Sequence, residues 1–371
     1  MRTFALALGL LATFALALEA MCRVDDAVRF GTPFFSRVES ESELLVRDAA
    51  GEHGRPHARY KKWVINNVGM RGPDIPLAKP PGTLRVVTAG ASETFGLYES
   101  PGREFPRQLE DTLRARCGAH VEVLNAAIFG MTLPTLEQDL RLRVRALDPD
   151  VVVLYPTPVQ YLNDAMPMSA TPDSAASDGL PTILALYPRA VDRLRTQFKQ
   201  LMPEWLATDL RRDEIARDAK AHPSGWRFTG VPADRLAAFD ADLRHAVGTI
   251  RAMGASPVLA AHVNAFAGGG PLDEPLLVSW ENQYHRATGD ALLAFDAAAA
   301  RATLRVARDS AVPVVDLRRL HGSRLFADYA HFTDAGAASV ASALAPLVIS
   351  AAGPKVSCGA PSDVVRTAAR P

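Results

Sequence analysis

Short apolar runs recur between residues 84 and 317 and alternate with segments of helical periodicity. The runs are rich in valine and are flanked by helix-breaking or polar residues. Such runs are typical of strands that are buried on both faces. The five predicted strands lie at 84–89, 121–128, 150–156, 257–264 and 312–317.

Between the predicted strands, apolar residues recur at intervals of three and four. One pattern runs from Leu133 to Leu147, and another runs from Leu236 to Ile250 with Gly254 as its C-terminal stop. Strands that alternate with helices predict an α/β fold. We expect a three-layer α/β/α sandwich around a mainly parallel, flavodoxin-like sheet of five strands.

The N-terminal residues have a different pattern. Residues 4–18 carry no charge, Arg2 precedes them and Glu19 follows them. This apolar length lies between that of a signal peptide and a full span of about 20 residues. The positive-inside tendency places the bulk of the chain outside the cytoplasm, in the periplasm or at the cell surface. Residues 1–22 are therefore predicted to be a signal anchor, and the alternative is a cleaved signal peptide on a secreted protein.

The rest of the chain divides by composition into an extension, a main domain and a tail. Residues 27–83 are predicted to be an N-terminal extension that packs on the main domain, which spans 84–350. An insertion at about 165–233 begins as a Ser/Ala/Pro-rich loop, and 353–371 are predicted to be a flexible tail.

Charge and cysteine content exclude several classes of function. The chain has 41 basic and 41 acidic residues, so it lacks the basic surface that nucleic-acid binding requires. The three cysteines show no zinc-site spacing, and we expect neither a metal nor a cofactor. A disulfide between Cys117 and Cys358 is compatible with export.

The stretch "VVTAGASETFG" places Ser92 directly after the first predicted strand. In open parallel sheets, ligands bind beyond the carboxyl ends of the strands. Ser92 is therefore a candidate nucleophile, but its position equally suits a helix N-cap.

A serine nucleophile needs a histidine base and an acid that orients the imidazole ring. His331 and Asp328 follow the last predicted strand, in "ADYAHFTDAG". They emerge at the same sheet edge as Ser92, and Thr333 is a plausible cap for the next helix. The alternative for this pair is an exposed loop with solvated side chains.

Together these residues resemble the blocks of the SGNH/GDSL hydrolases. The "GAS" stretch with Ser92 and Gly96 resembles the first block, Gly130 the second, and Asp328 with His331 the last. "NNVGMRGPD" at 66–74 is similar to a subgroup with an N-terminal membrane segment. The resemblance covers roughly 60–345 outside the insertion. It implies a Ser-His-Asp triad and an oxyanion hole formed by the backbone N–H groups of Ser92 and Gly130.

Two positions depart from the pattern of this family. Ala91 stands where the family has aspartate, and "VVVLYPTPVQYLND" contains no Gly-x-Asn, whose asparagine is an oxyanion donor in the family. Thr157, Gln160 and Asn163 are candidate replacements. We expect Thr157 to border the site, and Thr157→Val to lower turnover about tenfold or more with little change in stability.

Two further residues have alternative interpretations. Arg71 in "GMRGPD" either holds a substrate group or is a structural arginine. His262 ends the fourth predicted strand and is interpreted as a core or rim histidine, because no acidic residue is close to it in sequence.

These features predict a serine esterase or deacylase that acts on a small-molecule or glycan acyl ester. An O-acyltransferase that modifies an envelope glycan would use the same residues. The alternative from another class is a binding protein of the same fold that has lost catalysis along with the oxyanion asparagine.

Overall fold

The computed structural model describes residues 2–35, 44–118, 120–163, 189–269, 271–355 and Cys358. The Ser/Ala/Pro-rich beginning of the insertion, at 164–188, lies outside the described residues. Most of the predicted tail also lies outside them.

The chain begins with helix α1 (Arg2–Phe30), which is longer than the predicted anchor. Residues 4–17 are exposed along their whole length, whereas Cys22 and Arg23 are buried. Among the described helices, α1 and one helix near the C-terminus are long and apolar enough to cross a membrane. The residues predicted to form a signal anchor therefore lie in one continuous helix, and the first half of this helix does not pack against the other described residues.

Two small antiparallel hairpins form the extension. Strand β1 (Leu45–Asp48) pairs with β2 (Gly51–Gly54), and β3 (Arg59–Tyr60) pairs with β4 (Trp63–Val64). Leu44, Trp63, Ile65 and Met70 from this region are buried within one of the two hydrophobic clusters of the sheet. These four side chains lie in the same apolar cluster as Val87 and Leu154.

The central sheet has five strands, and all four of its strand pairings are parallel. Its order is β6-β5-β7-β8-β9, which is the flavodoxin-like order. The predicted fold class is therefore confirmed. The strands are β5 (Leu84–Gly90), β6 (Val121–Asn125), β7 (Val151–Tyr155), β8 (Ser256–Ala261) and β9 (Val314–Asp316).

Helices cover both faces of this sheet. The bounds of the helices that follow α1 are α2 (Ser92–Phe95), α3 (Phe105–Cys117), α4 (Leu133–Leu142), α5 (Arg189–Leu201), α6 (Glu204–Ala221), α7 (Ala233–Ala252), α8 (Glu274–Glu281), α9 (Gly289–Asp309) and α10 (Asp334–Ala352). Short 3-10 turns lie at Val144–Leu147, Pro158–Leu162, Leu317–Arg319, Ser323–Leu325 and Gly353–Lys355.

The alternation of side chains along the strands divides the core into two clusters. Val87, Val152 and Leu154 pack with α4, α7 and α9 on one face. Val86, Val151 and Val153 pack with α3 and α10 on the other face. This arrangement is the predicted three-layer sandwich.

A disulfide joins Cys117, at the end of α3, to Cys358. The bridge therefore holds the chain to the main domain just after α10. Cys22 is a buried free cysteine.

Candidate functional site

The candidate site lies at the point where the strand order of the sheet reverses. The chain passes from β5 to β6 on one side and then to β7 on the other side of β5. Ser92 follows β5 and Thr157 follows β7, so both leave the sheet at its carboxyl edge. In open α/β sheets this switch point is the usual ligand site.

The corner between β5 and α2 depends on Gly90. A Cβ atom at this position would lie 2.1 Å from Thr94 Oγ1 and 2.6 Å from the Tyr155 carbonyl oxygen. Ser92 is then the first residue of α2, while Ala91 takes the N-cap position. The hydroxyl of Ser92 is thus not used as the helix cap, which was the alternative to a nucleophile.

His331 and Asp328 form a hydrogen-bonded pair before α10. The Nδ1 atom of His331 lies 2.9 and 2.8 Å from the two carboxylate oxygens of Asp328. Asp328 also accepts hydrogen bonds from the backbone N–H groups of Ala330 and His331. Thr333 caps α10, as predicted, by accepting from the Gly336 N–H. The loop therefore fixes the imidazole ring and its tautomer.

The other ring nitrogen of His331 is available. Its Nε2 atom is buried and has no hydrogen-bond partner among the described residues. The Ser92 hydroxyl is hydrogen-bonded instead to Oε2 of Glu93, at 3.3 Å. The direct Ser92–His331 hydrogen bond that the triad hypothesis predicts is therefore absent from this conformation.

Two contacts place His331 beside the corner that carries Ser92. Tyr98 lies just beyond α2, and its ring contacts the His331 ring in a T-shaped arrangement with 5.4 Å between the ring centroids. The backbone N–H of Ser100 donates to Asp334 at the start of α10, at 2.7 Å. The loop after α2 and the start of α10 are thus directly connected.

Glu93 is buried in the centre of the site. Its Oε2 atom accepts a hydrogen bond from Thr157 at 2.7 Å in addition to the one from Ser92. Its Oε1 atom lies 3.3 Å from Nε2 of His262. The carboxylate therefore connects the ends of three strands, β5, β7 and β8.

His262 lies between two carboxylates. Its Nδ1 atom is 2.5 Å from Asp296, on α9, and its Nε2 atom faces Glu93. Asp296 also accepts a hydrogen bond from Asn264 at 2.8 Å, and the Tyr155 ring stacks on the imidazole. His262 is thus a core histidine, as interpreted, but it has two acidic partners that are distant in sequence.

This network shifts the pKa values of its members. Burial opposes the charged form of His262, but Asp296 and Glu93 outweigh it and raise its pKa to about 10. Burial also opposes ionised Glu93, but His262 and the Thr157 hydroxyl help to lower its pKa to about 2. The group therefore holds an imidazolium between two carboxylates at neutral pH.

The charge of Glu93 also acts on His331. Burial lowers the pKa of His331, but the Asp328 hydrogen bond and then the Glu93 charge raise it above its ordinary value. A base with a raised pKa accepts a proton more readily but is neutral over a narrower range of pH. Glu93 thus influences both Ser92 and His331.

The candidate oxyanion donors differ in their surroundings. Gly130 has φ +83°, which favours glycine, and it is exposed on the loop after β6. The only hydroxyl hydrogen of Thr157 is donated to Glu93, so none remains for an oxyanion in this conformation. Gln160 lies in the next 3-10 turn, which ends at half-buried Asn163.

The buried side chain of Arg71 binds other groups of the protein. Its guanidinium donates to the carbonyl groups of Phe95 and Gly96 at the end of α2, and it pairs with Glu104 at 3.3 Å. Asn125 also donates to the Thr94 carbonyl. The structure thus favours the structural alternative for Arg71, which together with Asn125 holds the helix that carries Ser92.

Sequence reasoning missed Glu93 and Asp296. Glu93 directly follows the candidate nucleophile, and Asp296 shares a helix face with the buried residues Leu292 and Ala299. A charged residue on an apolar helix face was the available signal, because charged groups are rarely buried without a partner.

No protein-family profile matches the sequence, and no curated protein matches it. Several solved structures are similar in fold. A lipase/acylhydrolase from Enterococcus faecalis is 14% identical, with 74% of this chain and 98% of that chain covered and a TM-score of 0.42. An acetyl xylan esterase is 14% identical, with 71% and 100% covered and a TM-score of 0.42. A mutant acetyl-xylooligosaccharide esterase from Geobacillus is 15% identical, with 73% and 96% covered and a TM-score of 0.41. The activities in these names belong to those proteins.

Proposed function

We propose that this chain is a serine esterase or deacylase that acts on acyl esters outside the cytoplasm. Ser92 is the nucleophile, His331 the general base and Asp328 the residue that orients His331. The observation that most supports this role is the state of the His331 ring. Asp328 engages Nδ1, while Nε2 is buried and has no partner among the described residues.

The reaction begins when the Ser92 hydroxyl turns from Glu93 toward His331. Nε2 of His331 takes the hydroxyl proton as the Ser92 oxygen bonds to the ester carbonyl carbon. The carbonyl electron pair moves onto its oxygen, and the Asp328 carboxylate stabilises the imidazolium that forms. His331 then returns the proton to the leaving alcohol, which completes acylation of Ser92.

The oxyanion of this step is held by backbone N–H groups. The first N–H groups of a helix have no acceptor within that helix, and Ser92 begins α2. The N–H of Gly130 is the second donor. Water, deprotonated by His331, then attacks the acyl carbonyl carbon. The bond to the Ser92 oxygen breaks, His331 returns the proton to that oxygen, and the acyl group leaves as a carboxylic acid.

The position of α1 supports a membrane-attached enzyme. Residues 4–17 are exposed and apolar, Arg2 precedes them, and the globular part follows α1. Together with the charge order described above, this arrangement supports a site outside the cytoplasm.

Labelling with a fluorophosphonate probe tests the nucleophile without a known substrate. The full chain in detergent should be labelled stoichiometrically, and Ser92→Ala should not be labelled. His331→Asn should slow labelling by about a thousandfold or more, because activation of the serine depends on the base. Ser339→Ala is the matched control, since this half-buried serine of α10 lies outside the candidate triad and its side chain donates to the Ala335 carbonyl.

The same experiment separates enzyme from binding protein. A folded chain that reacts with the probe no faster than Ser92→Ala would exclude an activated serine and favour the non-catalytic alternative. Labelling that persists in Ser92→Ala would show that another residue is the nucleophile. Protease accessibility of the globular part in intact cells tests the topology separately.

A further inference from the structure

Helix α5 presents a continuous stripe of apolar side chains to solvent. Val191, Leu194, Phe198 and Leu201 recur at intervals of three and four residues, so they share one face of the helix. Their exposed fractions are 43, 60, 71 and 80%. An aqueous environment does not favour such a face, which calls for an apolar partner. We refer to these four residues as the apolar stripe.

The beginning of α5 is fastened to α1. Arg193 forms ion pairs with Asp25 and Asp26 at 2.6 and 2.5 Å, and Arg189 pairs with Asp26 at 3.0 Å. The backbone N–H of Ala190 donates to Glu19 at 3.0 Å. These contacts come from the first five residues of α5, so the position of α5 is set by that of α1.

The contacts lie at one particular level of α1. Glu19 is the first charged residue after the apolar stretch, and residues 4–17 before it are exposed. The helical stretch from Phe4 to Met21 is about 27 Å long, close to the thickness of a bilayer hydrocarbon core of about 30 Å. If α1 is inserted, α5 therefore starts at the boundary between hydrocarbon and headgroups.

We propose that α5 lies in the membrane–water interface on the side of the globular part, with the apolar stripe among the acyl chains of the lipids. Helix α5 then forms a second membrane contact beside α1 and fixes the orientation of the globular part over the bilayer. This inference goes beyond the esterase activity, and it rests on the proposed insertion of α1.

The composition of the segment fits a lipid surface. Arg189 and Arg193 are already paired with α1. The sequence of α5 has two further basic residues, Arg195 and Lys199, and one acidic residue, and this small basic excess favours anionic headgroups. Trp205, in the first turn of α6, is 67% exposed, and tryptophan is enriched at membrane interfaces. A second copy of this chain is the competing partner. Lipid is favoured because α5 is docked where the apolar part of α1 ends.

Quenching of Trp205 fluorescence by brominated lipid tests this position. The full chain is reconstituted into phosphatidylcholine–phosphatidylglycerol vesicles, with or without bromine on the upper part of the acyl chains. Vesicle flotation verifies that α1 is inserted. The Trp205 signal is the difference between the wild type and Trp205→Phe, which removes the contributions of Trp63, Trp226 and Trp280. We expect brominated lipid to reduce this signal at least twofold.

Charge substitutions on exposed residues provide matched variants. Phe198→Glu should remove most of the Trp205 quenching, while the chain still floats because α1 is unchanged. Leu272→Glu introduces the same charge at an exposed apolar residue outside α5 and should leave the quenching as in the wild type. Circular dichroism confirms that both variants are folded.

Three results would overturn the proposal. The first is an inserted chain whose Trp205 emission is unaffected by bromine. The second is efficient cross-linking of Phe198→Cys to a second copy in vesicles, with no quenching, which would assign the stripe to a dimer. The third is a chain that does not float, since α1 would then not be inserted. Fluorophosphonate labelling of the same samples reports on the esterase proposal independently of these results.

Discussion

Glu93 and His262 are 169 positions apart in sequence, yet the Glu93 Oε1 atom lies 3.3 Å from Nε2 of His262 beneath the candidate nucleophile. Both side chains are almost completely buried. The second carboxylate, Asp296, lies 2.5 Å from the other ring nitrogen, Nδ1. The site thus contains two histidine–carboxylate assemblies, and Glu93 is the link between them.

The two histidines have different chemical states. His262 is held as an imidazolium by two carboxylates, so it has no free nitrogen that could act as a base. His331 has one carboxylate partner and a second nitrogen without a partner among the described residues. We therefore expect His331 alone to exchange a proton with Ser92, while Glu93 sets the basicity of His331 and the resting position of the hydroxyl.

Glu93→Gln should shift the pH dependence of the reaction to lower pH. Neutral His331 is the active form, so kcat/KM rises as pH increases through its pKa, and the Glu93 charge raises that pKa. Glutamine removes the charge but keeps the shape. The plateau rate should change by no more than about tenfold, the equivalent of about 1.4 kcal/mol. Hydrolysis of a p-nitrophenyl ester measured from pH 5 to 9 checks this.

A matched substitution controls for general effects of charge. Glu214 is exposed on α6, and Glu214→Gln should have the wild-type pH profile. If Glu93→Gln also had the wild-type pH profile, the result would show that the Glu93 charge does not raise the pKa of His331. A shift to higher pH would contradict the sign of the interaction.

His262→Gln should destabilise the protein by about 3–5 kcal/mol at neutral pH, because it leaves two buried carboxylates without a counter-charge. The loss should become smaller toward pH 4, because without His262 the pKa of Glu93 is no longer held down and this carboxylate can take up a proton. Urea unfolding of the full chain in detergent at several pH values measures both effects. A loss below about 1 kcal/mol at pH 7 would show that the imidazolium is dispensable.

The wild-type stability should also depend on pH through this pair. The raised pKa of His262 gives stabilisation that is fully present below about pH 6.5 and is lost as pH rises through about 10. The lowered pKa of Glu93 gives stabilisation that is present above about pH 4.5 and is lost as pH falls through about 2. This pair therefore contributes most between about pH 4.5 and 6.5.

The sheet was predictable because β5, β6, β7 and β8 are almost completely buried and therefore mostly apolar, while the edge strand β9 is partly buried. The helical pattern from Leu133 to Leu147 was only partly correct, because α4 ends at Leu142 and a 3-10 turn follows. At the break, Arg143 pairs with Asp139 and donates to the Val68 carbonyl in the extension. Such tertiary contacts leave no trace in local periodicity.

The candidate site was predictable where its residues are close in sequence or fit a known pattern. Asp328 and His331 are three residues apart, and the Gly90 corner marks Ser92. The acidic partners of His262 come from α2 and from α9, and only the folded sheet brings them together. Sequence proximity was therefore a poor guide to the environment of His262.

The disulfide should be detectable by thiol counting and by stability. Under denaturing, non-reducing conditions one thiol, that of Cys22, should react, whereas three should react after reduction. Cys358→Ser should lower the free energy of unfolding by about 2–4 kcal/mol, because the bridge restricts the unfolded chain. Cys117→Ser should give the same loss, and the double variant should lose no more. Additive losses would mean that the two cysteines act separately.

Thr157→Val should lower both stability and turnover, and not turnover alone as expected from the sequence, because Thr157 is bonded to buried Glu93. The Thr157 hydroxyl donates to the buried carboxylate at 2.7 Å, so valine leaves that oxygen with one donor fewer. We expect a loss of about 1–3 kcal/mol in stability, whereas an oxyanion donor would affect turnover alone. Thr157→Ser retains the hydroxyl and should preserve both.

A double-mutant cycle with Glu93→Gln separates these two roles of Thr157. If Thr157 acts by holding Glu93, its removal matters less once the carboxylate is gone, so the effects on kcat of the two substitutions should not add. Residues that act independently show additive effects to within about 0.5 kcal/mol. Additive losses in kcat, with the stability of Thr157→Val unchanged, would instead make the hydroxyl the third oxyanion donor. In that case the threonine would have to release Glu93 when substrate binds.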